Sequence, residues 1–319
     1  MHIQVLALDG VFDTGLATVL DAFGTANELA QAQGLHSLRF DVSVVGVRKR
    51  VRSAQGWTVP VAPLDPLAAD WLVVPAIGTK MPGPLQEALA RPDIQEAAAG
   101  IRLRGEAAGK IAAACIGTFV LAESGLLDEQ SATTTWWLAP LFRQRYPRVK
   151  LNEARMLVQS GALVTAGAAL SHIDLALMLI RQASPELAAI TARYLIVDNR
   201  PAQSSYVIND HLAHADPLVQ RFEQWARGRL AEGFVLDDAA RALATSKRTL
   251  ARRLHEVLGK TPMSYFQDLQ VERAVHLLKT SSDSVEAIAS QVGYADGVSL
   301  RALLRRKLGQ GVRSIRASG

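Results

Sequence analysis

Residues 246–278 read SKRTLARRLHEVLGKTPMSYFQDLQVERAVHLL, and they decide the fold of the C-terminal part of this 319-residue chain. Ser246 is a residue type that caps helices, and it stands directly before an amphipathic pattern. Four apolar residues of the pattern recur at the spacing of one buried helical stripe: Leu250, Leu254, Val257 and Leu258. The stretch therefore predicts a helix over 247–258 with a basic outer face, and a longer helix over 263–279.

A short helix is predicted just before this segment, over 237–244. Asp237 is expected to cap it, and the apolar residues Ala240, Leu243 and Ala244 are expected to face inward. A tight turn then leads into the basic helix, which is the spacing of a helix-turn-helix. In that arrangement the second helix is the recognition helix, which enters the major groove of DNA. Its candidate DNA contacts are Ser246, Lys247, Arg248, Arg252 and His255.

The same pattern recurs farther along the chain. Ser284 is expected to cap a helix over 284–291, and Gly293 after it suits a left-handed helix end. Asp296 is then expected to cap a second basic helix, over 298–308. The candidate DNA contacts of this helix are Ser299, Arg301, Arg305 and Arg306. A connecting helix about 25 Å long suits two recognition helices that enter successive major grooves about 34 Å apart.

The positive charge of the chain is concentrated in its last quarter. Residues 234–319 carry 14 Lys and Arg against 8 Asp and Glu, a net charge of +6, whereas the rest carries 21 against 22, a net charge of −1. A basic domain suits a polyanionic partner such as double-stranded DNA. Charge alone is equally compatible with a merely solvated basic domain, and the paired helices favour the DNA-binding interpretation.

Residues 234–316 resemble the DNA-binding domain of the AraC/XylS family of transcription regulators. The stretch 246–278 is similar to the family pattern S-x-R-x-L-x-R-x-F…G-x-x-P-x-x-Y…R-x-x-x-A-x-x-L-L. The stretch SVEAIASQVGYADGVSLRALLRRKLGQGVRSIR, residues 284–316, is similar to the pattern I-A-x-x-V-G-Y…F-x-R-x-F-[KR]-x-x-x-G. The resemblance implies sequence-specific DNA binding and transcription regulation, with activation favoured and RNA polymerase as a partner.

The second half of this region departs from the family pattern. Ala302 stands where the family usually has Arg, and Val298 stands where it usually has Ser. Leu300 and Leu304 replace aromatic residues, and Val312 replaces the Pro of the last turn. We expect the second recognition helix to keep its phosphate-binding charge and to act mainly as a positioning module.

The first 180 residues alternate short apolar runs with helical patterns, which predicts a parallel sheet covered by helices. The predicted strands are 2–8, 39–47, 71–75, 110–114 and 162–165. The predicted helices are 16–33, 85–104, 118–126, 137–146 and 169–183. The expected fold class is an α/β N-terminal domain with a flavodoxin-like parallel sheet between helices, plus an all-α C-terminal domain with two helix-turn-helix units.

Cys115 is the one cysteine of the chain, and it stands between the predicted strand 110–114 and Gly117. A helix N-terminus lowers the pKa of a nearby thiol and would activate Cys115, whereas the alternative is a buried cysteine that acts as a small apolar residue. A single cysteine excludes an intramolecular disulfide and fits the cytoplasm. We expect no membrane span, because no apolar run approaches about 20 residues. We expect no metal or cofactor, because no metal-ligand motif, phosphate loop or nucleotide fingerprint occurs.

The surroundings of Cys115 resemble the PfpI-like members of the class I glutamine amidotransferase-like superfamily, and in particular the GlxA-like subgroup. The similar stretches are AACIGTFVLAESGLL (113–127), ATTTWW (132–137), DWLVVPAIG (70–78), LVTAGAALSHIDLALMLI (163–180) and RPAQSSY (200–206). In that subgroup such a domain precedes an AraC-type domain, so the resemblance covers nearly the whole chain.

Positions that are catalytic in those relatives carry other residues here. Thr135 stands where the subgroup often has His, and a Thr hydroxyl does not accept a proton near neutral pH. Ala76 stands where relatives usually have Gly. His172 is either a substitute base or a residue packed at the start of a helix, and Asp13 is a candidate acidic partner. We therefore predict no catalytic residue and no enzymatic turnover.

A ligand site is nevertheless predicted at the carboxyl ends of the strands, where open α/β sheets bind ligands. Its candidate residues are Gly10, Asp13, Ala76, Cys115, Ile116, Thr135 and Trp136. The leading hypothesis is a homodimeric transcription regulator controlled by a small-molecule effector. The alternatives are a PfpI-like cysteine-dependent hydrolase or lyase with an appended DNA-binding domain, and an architectural DNA binder whose α/β domain only dimerises. The expected domains are 1–184 for sensing and dimerisation, 185–217 as a helical linker and 218–319 for DNA binding.

Overall fold

A computed structural model of the protein divides it into two compact units, Met1–Gln203 and Ser204–Gly319. The described residues are 1–198, 200, 202–203 and 216–317. Most of the predicted linker beyond residue 200 lies outside the described residues, whereas its first helix, Pro185–Tyr194, belongs to the first unit. The borders of the functional domains stay a prediction.

The first unit is built on a seven-stranded sheet in the order β10-β11-β7-β6-β1-β2-β5. The strands of the unit are β1 (His2–Leu6), β2 (Asp41–Gly46), β3 (Arg50–Arg52), β4 (Thr58–Pro60), β5 (Ala62–Pro63), β6 (Trp71–Val74), β7 (Lys110–Ala114), β8 (Ser131–Ala132), β9 (Lys150–Leu151), β10 (Leu157–Ser160) and β11 (Leu163–Ala166). The strands β2, β1, β6, β7 and β11 are parallel to one another, and β10 adds an antiparallel edge. Their order is the 2-1-3-4-5 order of flavodoxin-like sheets, which confirms the predicted fold class of this unit.

Helices cover both faces of this sheet. They are α1 (Asp13–Ala32), α2 (Pro82–Leu89), α3 (Pro92–Glu106), α4 (Gly117–Glu123), α5 (Ala139–Arg145), α6 (Ser171–Ala183) and α7 (Pro185–Tyr194). Along β1, Ile3 and Val5 pack in one core with residues of α1, α6 and α7, whereas Leu6 packs in another core with residues of α2, α3 and α4. This alternation is the one expected of a strand that is buried on both faces.

The prediction of a single helix over 85–104 is wrong. Two helices, α2 and α3, meet at Arg91, because Pro92 lacks an amide hydrogen and keeps the preceding residue extended. The predicted helix over 137–146 likewise starts with a separate 3-10 turn, Trp136–Leu138, before α5. The short strands β3, β4, β5, β8, β9 and β10 were not predicted, because two to four residues carry too little periodicity.

The regular elements described in the second unit are all helices, which confirms its predicted all-α class. They are α8 (Pro217–Arg227), α9 (Leu236–Ala242), α10 (Lys247–Leu258), α11 (Pro262–Thr280), α12 (Val285–Gln291), α13 (Gly297–Leu308) and α14 (Val312–Ala317). The predicted helix over 247–258 coincides with α10, whereas α14 was not predicted. Within the described ranges of both units, no helix has the length and apolar character needed to cross a bilayer.

Most of the predicted helix caps of this unit are confirmed. The side chains of Ser246, Ser284 and Asp296 accept hydrogen bonds from backbone N–H groups three residues later, at 3.0, 3.1 and 2.7 Å. The prediction for Asp237 is wrong, because α9 begins one residue earlier, and Asp237 instead pairs with Lys247 at 2.9 Å. The inward orientation of Ala244 is also wrong, since this residue lies exposed in the turn that follows α9.

Candidate nucleic-acid interface and the Cys115 turn

The turn after β7 holds Cys115 in a left-handed backbone conformation with φ of 56°. Two hydrogen bonds fix it: its N–H donates to the Ala166 carbonyl at 2.9 Å, and its carbonyl accepts from the Thr134 hydroxyl at 2.8 Å. Gly117, in the first turn of α4, lies so close to β6 that a Cβ there would come within 2.2 Å of the Val74 carbonyl oxygen. The predicted strand-to-helix turn is therefore a tight and strained one.

The Cys115 side chain is buried, with 3% of its surface exposed. Burial raises the pKa of the thiol to about 12, and this effect outweighs the opposing hydrogen bonds from the Ile116 N–H and the Thr135 hydroxyl. The group is thus a neutral thiol near pH 7. Of the two alternatives for Cys115, the structure supports the buried cysteine that acts as a small apolar residue, because burial disfavours the thiolate.

His172 is fully buried, and both of its ring nitrogens have partners. The Ala76 N–H donates to Nε2 at 3.1 Å, so Nε2 carries no proton, and Nδ1 donates to the Ala169 carbonyl at 2.6 Å. Burial lowers the pKa of His172 to about 4. The ring therefore packs as a neutral side chain at the start of α6, and its Nε2 accepts the hydrogen bond of the Ala76 N–H.

Part of the predicted ligand site lies in two loops that are joined by backbone hydrogen bonds. The Phe12 N–H donates to the Ala76 carbonyl at 2.8 Å, and the Gly78 N–H donates to the Gly10 carbonyl at 2.6 Å. Asp13 begins α1 and accepts a hydrogen bond at 3.0 Å from a backbone N–H in the loop after β3. The structure therefore brings Gly10, Asp13 and Ala76 together at the carboxyl ends of β1 and β6.

The remaining predicted ligand residues lie around the turn after β7. Cys115, Ile116, Thr135 and Trp136 are all buried there. The Thr118 hydroxyl in α4 has no hydrogen-bond partner among the described residues. The Thr135 hydroxyl has only the Cys115 thiol, which is a weak partner. Buried hydroxyls without partners are uncommon, because each costs desolvation free energy, and a polar ligand group would satisfy them.

Gln203, which the sequence analysis did not single out, is buried beside this turn. Its Nε2 donates to the Thr134 carbonyl at 2.8 Å and to the Thr133 hydroxyl at 3.2 Å. Thr134 in turn bonds to the Cys115 carbonyl. A continuous chain of hydrogen bonds thus connects the Cys115 turn to the last residue of the first unit. Gln203 lies in the stretch RPAQSSY (200–206) that resembles the GlxA-like subgroup, but no local pattern predicts its hydrogen bonds.

The second unit contains two helix pairs of the same construction, α9 with α10 and α12 with α13. Each second helix has 12 residues, starts at a side-chain cap and ends at a left-handed glycine, Gly259 with φ of 64° or Gly309 with φ of 69°. The first helix of each pair ends with the same hydrogen bond, from the Thr245 N–H to the Ala240 carbonyl at 3.0 Å and from the Tyr294 N–H to the Ala289 carbonyl at 2.8 Å, and the second turn is one residue longer before its cap. These are two copies of one helix-turn-helix.

The predicted DNA contacts of α10 lie at the surface, with the leucine stripe buried beneath them. Lys247, Arg248, Arg252 and His255 are exposed, and the Ser246 hydroxyl is the cap of the helix. Lys247 pairs with an aspartate of α9 at 2.9 Å, and Arg252 pairs with a glutamate one turn later at 2.7 Å. Exposed ion pairs of this kind are weak, so both cations can exchange their partners for phosphate.

The predicted contacts of α13 are similarly placed. Ser299, Arg305 and Arg306 are exposed, and Arg301 is half-buried and pairs with Glu286 at 3.1 Å. Within the described part of the unit, Arg305 and Arg306 have no ion-pair partner. The structure thus presents a second basic recognition helix, as the sequence predicts.

A family model described as "Helix-turn-helix domain" matches residues 239–318, which include both pairs. The HTH-type transcriptional activator RhaS of Escherichia fergusonii is 36% identical over 103 residues, which are 32% of this chain and 37% of RhaS. This chain carries an AraC-type helix-turn-helix domain. The domain occupies the C-terminal unit, as the resemblance of residues 234–316 implied.

Longer matches extend beyond the AraC-type domain. The HTH-type transcriptional regulator GbdR of Pseudomonas aeruginosa is 26% identical over 189 residues, which are 58% of this chain and 51% of GbdR, so the chain spans about half the length of this relative. The crystal structure of an AraC family transcriptional regulator from Pseudomonas putida matches with a TM-score of 0.51 at 18% identity, and it covers 61% of this chain and 98% of that chain. At that identity the likeness shows the α/β fold alone.

The AraC-type domain also contains buried polar contacts that sequence reasoning missed. Gln270 of α11 donates to the Val292 carbonyl at 2.7 Å, and Tyr265 donates to buried Glu223 of α8 at 2.9 Å. Asp268 binds lysines from two other segments at 2.8 Å each. These contacts join the connecting helix α11 to the elements around it, and no local pattern predicts them because most of the partners are distant in sequence.

Proposed function

We propose that the protein is a transcription regulator that binds double-stranded DNA sequence-specifically through its AraC-type domain and responds to a small-molecule effector in its first unit. The observation that carries the proposal is the repeated helix-turn-helix, in which each second helix presents exposed cations over a buried apolar stripe. Residues 218–319 are the DNA-binding part in this proposal, and residues 1–184 sense the effector and dimerise. The names of RhaS and GbdR as transcriptional proteins support the same role.

The chemistry around Cys115 favours a binding role over a catalytic one. A nucleophilic thiol needs a low pKa or an adjacent base, whereas this thiol is neutral and the nearby imidazole is fully engaged. The Thr118 hydroxyl, which has no partner among the described residues, and the Thr135 hydroxyl, whose partner is the weakly bonding Cys115 thiol, offer hydrogen bonds to a polar effector. The candidate effector residues remain Gly10, Asp13, Ala76, Cys115, Ile116, Thr135 and Trp136.

The hydrogen bonds of Gln203 offer a route from this site toward the DNA-binding part. An effector that displaces the loop of Thr134 would also change how Gln203 is held, and this residue is the last one of the first unit. An effector regulates DNA binding only if it binds the two states of the protein with different affinities. We further propose that the protein acts as a homodimer that contacts RNA polymerase and activates transcription, and the name of RhaS as a transcriptional activator supports the last of these points.

Selection of duplexes from a random library by the full-length protein tests the DNA-binding proposal. We expect enrichment of one motif with two sub-sites about one helical turn apart, because two recognition helices act together. Enrichment of no motif would contradict sequence-specific binding and would favour an architectural role. A thermal-shift screen with amino acids, amines and related metabolites then tests effector binding, because a ligand of the native state raises its stability.

One observation favours an enzyme as the second candidate function, namely the strained left-handed turn at Cys115, since strain of this kind clusters at active sites. Steady-state turnover of glutamine, small amides and 2-oxoaldehydes by the purified protein distinguishes the two. We expect no turnover and retention of DNA binding by Cys115→Ser. Turnover that Cys115→Ser abolishes would establish the enzyme instead.

A further inference from the structure

The second recognition helix presents two apolar side chains where the first presents two arginines. Helices α10 and α13 have the same length and the same kinds of ends, so an offset of 50 residues relates their positions. Arg248 and Arg252 of α10 then correspond to Val298 and Ala302 of α13. All four residues are exposed, and Val298, at 72%, is the most exposed large apolar side chain in the described part of its unit.

Val298 and Ala302 are four residues apart, so their side chains lie one above the other and form a single apolar strip. At 100° per residue the strip points away from the buried face of α13. Arg305 continues the strip in the next turn, and Arg301 and Arg306 flank it on either side. An exposed apolar strip in the first two turns of α13 is therefore flanked by Arg301, which pairs with Glu286, and is followed by Arg305 and Arg306 in the last turn.

This surrounding charge identifies the occupant of the strip as nucleic acid. Three arginines complement the phosphates that line a groove, whereas an apolar partner protein would gain nothing from them. Within the major groove the 5-methyl group of thymine is the apolar feature that alanine-like side chains contact. Building on the proposed function, we infer that Val298 and Ala302 read thymine in the major groove by contact with its methyl group. The second recognition helix then reads bases as well as positioning the domain.

Replacement of thymine by deoxyuridine tests this inference, because the two bases differ only in that methyl group. The full-length protein is titrated with its library-selected duplex and with duplexes that carry deoxyuridine at one thymine at a time. Loss of one buried methyl group corresponds to about fourfold in affinity. We expect a loss of about this size at one or two thymines within the sub-site of α13.

Two variants assign that loss to the strip. At the thymine that Val298 contacts, Val298→Ser is expected to bind the thymine and deoxyuridine duplexes equally, so that the ratio of their affinities falls from about four to about one. Ala302→Arg is expected to move the preference at its position from thymine to guanine by about tenfold, because arginine bonds to two acceptors of guanine. Both positions are exposed, so thermal melting is expected to stay unchanged.

Arg248→Ala is the matched control, since it changes the equivalent position of α10. It is expected to weaken the binding of both duplexes by the same factor. The ratio of the affinities for thymine and deoxyuridine in the sub-site of α13 is therefore expected to stay at about four. Equal affinity of the unaltered protein for thymine and deoxyuridine at every position would overturn the inference. The inference would also be overturned if Val298→Ser and Ala302→Arg both kept the preference for thymine over deoxyuridine. Failure to bind any duplex would contradict the proposed function itself.

Discussion

Arg252 is exposed on α10, and its ion pair with Glu256 leaves it available to DNA. Arg252→Ala is expected to cost about 1–3 kcal/mol on the selected duplex and to relax the sequence preference, because a base contact is lost. Arg305→Ala on α13 is expected to weaken selected and random duplexes by similar factors, because a phosphate contact carries no sequence information. Fluorescence anisotropy titrations of both variants with selected and with random duplexes measure these losses of affinity. A more sequence-selective loss in Arg305→Ala than in Arg252→Ala would contradict this assignment.

The burial of His172 makes the first unit sensitive to mild acid. Its pKa is lowered from an ordinary 6.5 to about 4, because the buried ring resists a charge. Since the folded pKa lies below the unfolded one, the stabilising contribution is fully present above pH 6.5 and is lost as the pH falls toward 4. At pH 5 the free energy of unfolding is expected to be lower by about 2 kcal/mol than at pH 7.5.

Urea unfolding at pH 7.5 and pH 5, followed by near-ultraviolet circular dichroism, measures this loss. His172→Gln is the control, because its amide replaces the ring without titrating in this range. The pH dependence is expected to be shallower in this variant. The same dependence in both proteins would mean that another group titrates.

Single residues could be predicted from sequence where their role is local. The caps Ser246, Ser284 and Asp296 are correct because a cap depends on its own helix and the three residues that follow. The thiol pKa of Cys115 could not be predicted, because it depends on complete burial by segments distant in the chain. A helix-dipole argument alone therefore has the wrong sign for Cys115.

The two helix-turn-helix elements differ in one strained position. Ala244 has φ of 50°, whereas Gly293 at the equivalent place has φ of 82°. A residue with a Cβ costs about 1 kcal/mol or more in this region, and glycine does not. Ala244→Gly is therefore expected to raise the free energy of unfolding of the C-terminal unit by about 1 kcal/mol, as measured by urea denaturation.

Gly293→Ala is the matched opposite change. Besides the left-handed backbone, its Cβ would come within 2.3 Å of the Leu230 carbonyl oxygen, so the loss of stability is expected to exceed the gain from Ala244→Gly. A neutral or stabilising effect of Gly293→Ala, or a destabilising effect of Ala244→Gly, would show that the turn relaxes in a way these φ values do not indicate.

Elements with a clear period could be predicted closely, and short ones could not. The helix over 247–258 is predicted to the residue because its apolar stripe and its cap agree. The break at Pro92 shows the reverse case, since an apolar pattern that continues across a proline predicted one helix where there are two. Strands of two or three residues depend on their pairing partners, which the local sequence does not contain.

At the scale of the whole molecule, Gln203 is expected to couple effector binding to DNA binding. Gln203→Ala removes its bonds to Thr133 and Thr134. Effectors usually change the affinity of a second site by about 5–150-fold, and this factor is expected to shrink in the variant while effector affinity stays nearly constant. Anisotropy titrations with and without the effector found by thermal shift measure both quantities.

Gln159→Ala is the control for this coupling. Its side chain is exposed in the same unit, and among the described residues it bonds to the Gly161 carbonyl of its own hairpin. The effector response of this variant is expected to match that of the unaltered protein. A full effector response in Gln203→Ala would show that the coupling takes another route.

The division of the chain into an α/β part and an all-α part could be predicted from the change in hydrophobic period and from the uneven charge. The βα alternation predicted a parallel sheet covered by helices, and the observed strand order agrees with the flavodoxin-like class that was expected. The hydrogen bonds that connect Cys115 to Gln203 could not be predicted, because they join residues that are far apart in sequence and have no shared pattern.

The affinity of the full-length protein for its selected duplex, measured as a function of salt concentration, tests the central claim most directly. Contacts with about 6–10 phosphates release counterions, so the association constant is expected to fall by about 10³–10⁵ between 50 and 200 mM salt. Random duplexes are expected to bind more weakly, because they lack the base contacts. Binding that does not change with salt, or the absence of binding to any duplex at low salt, would contradict the account.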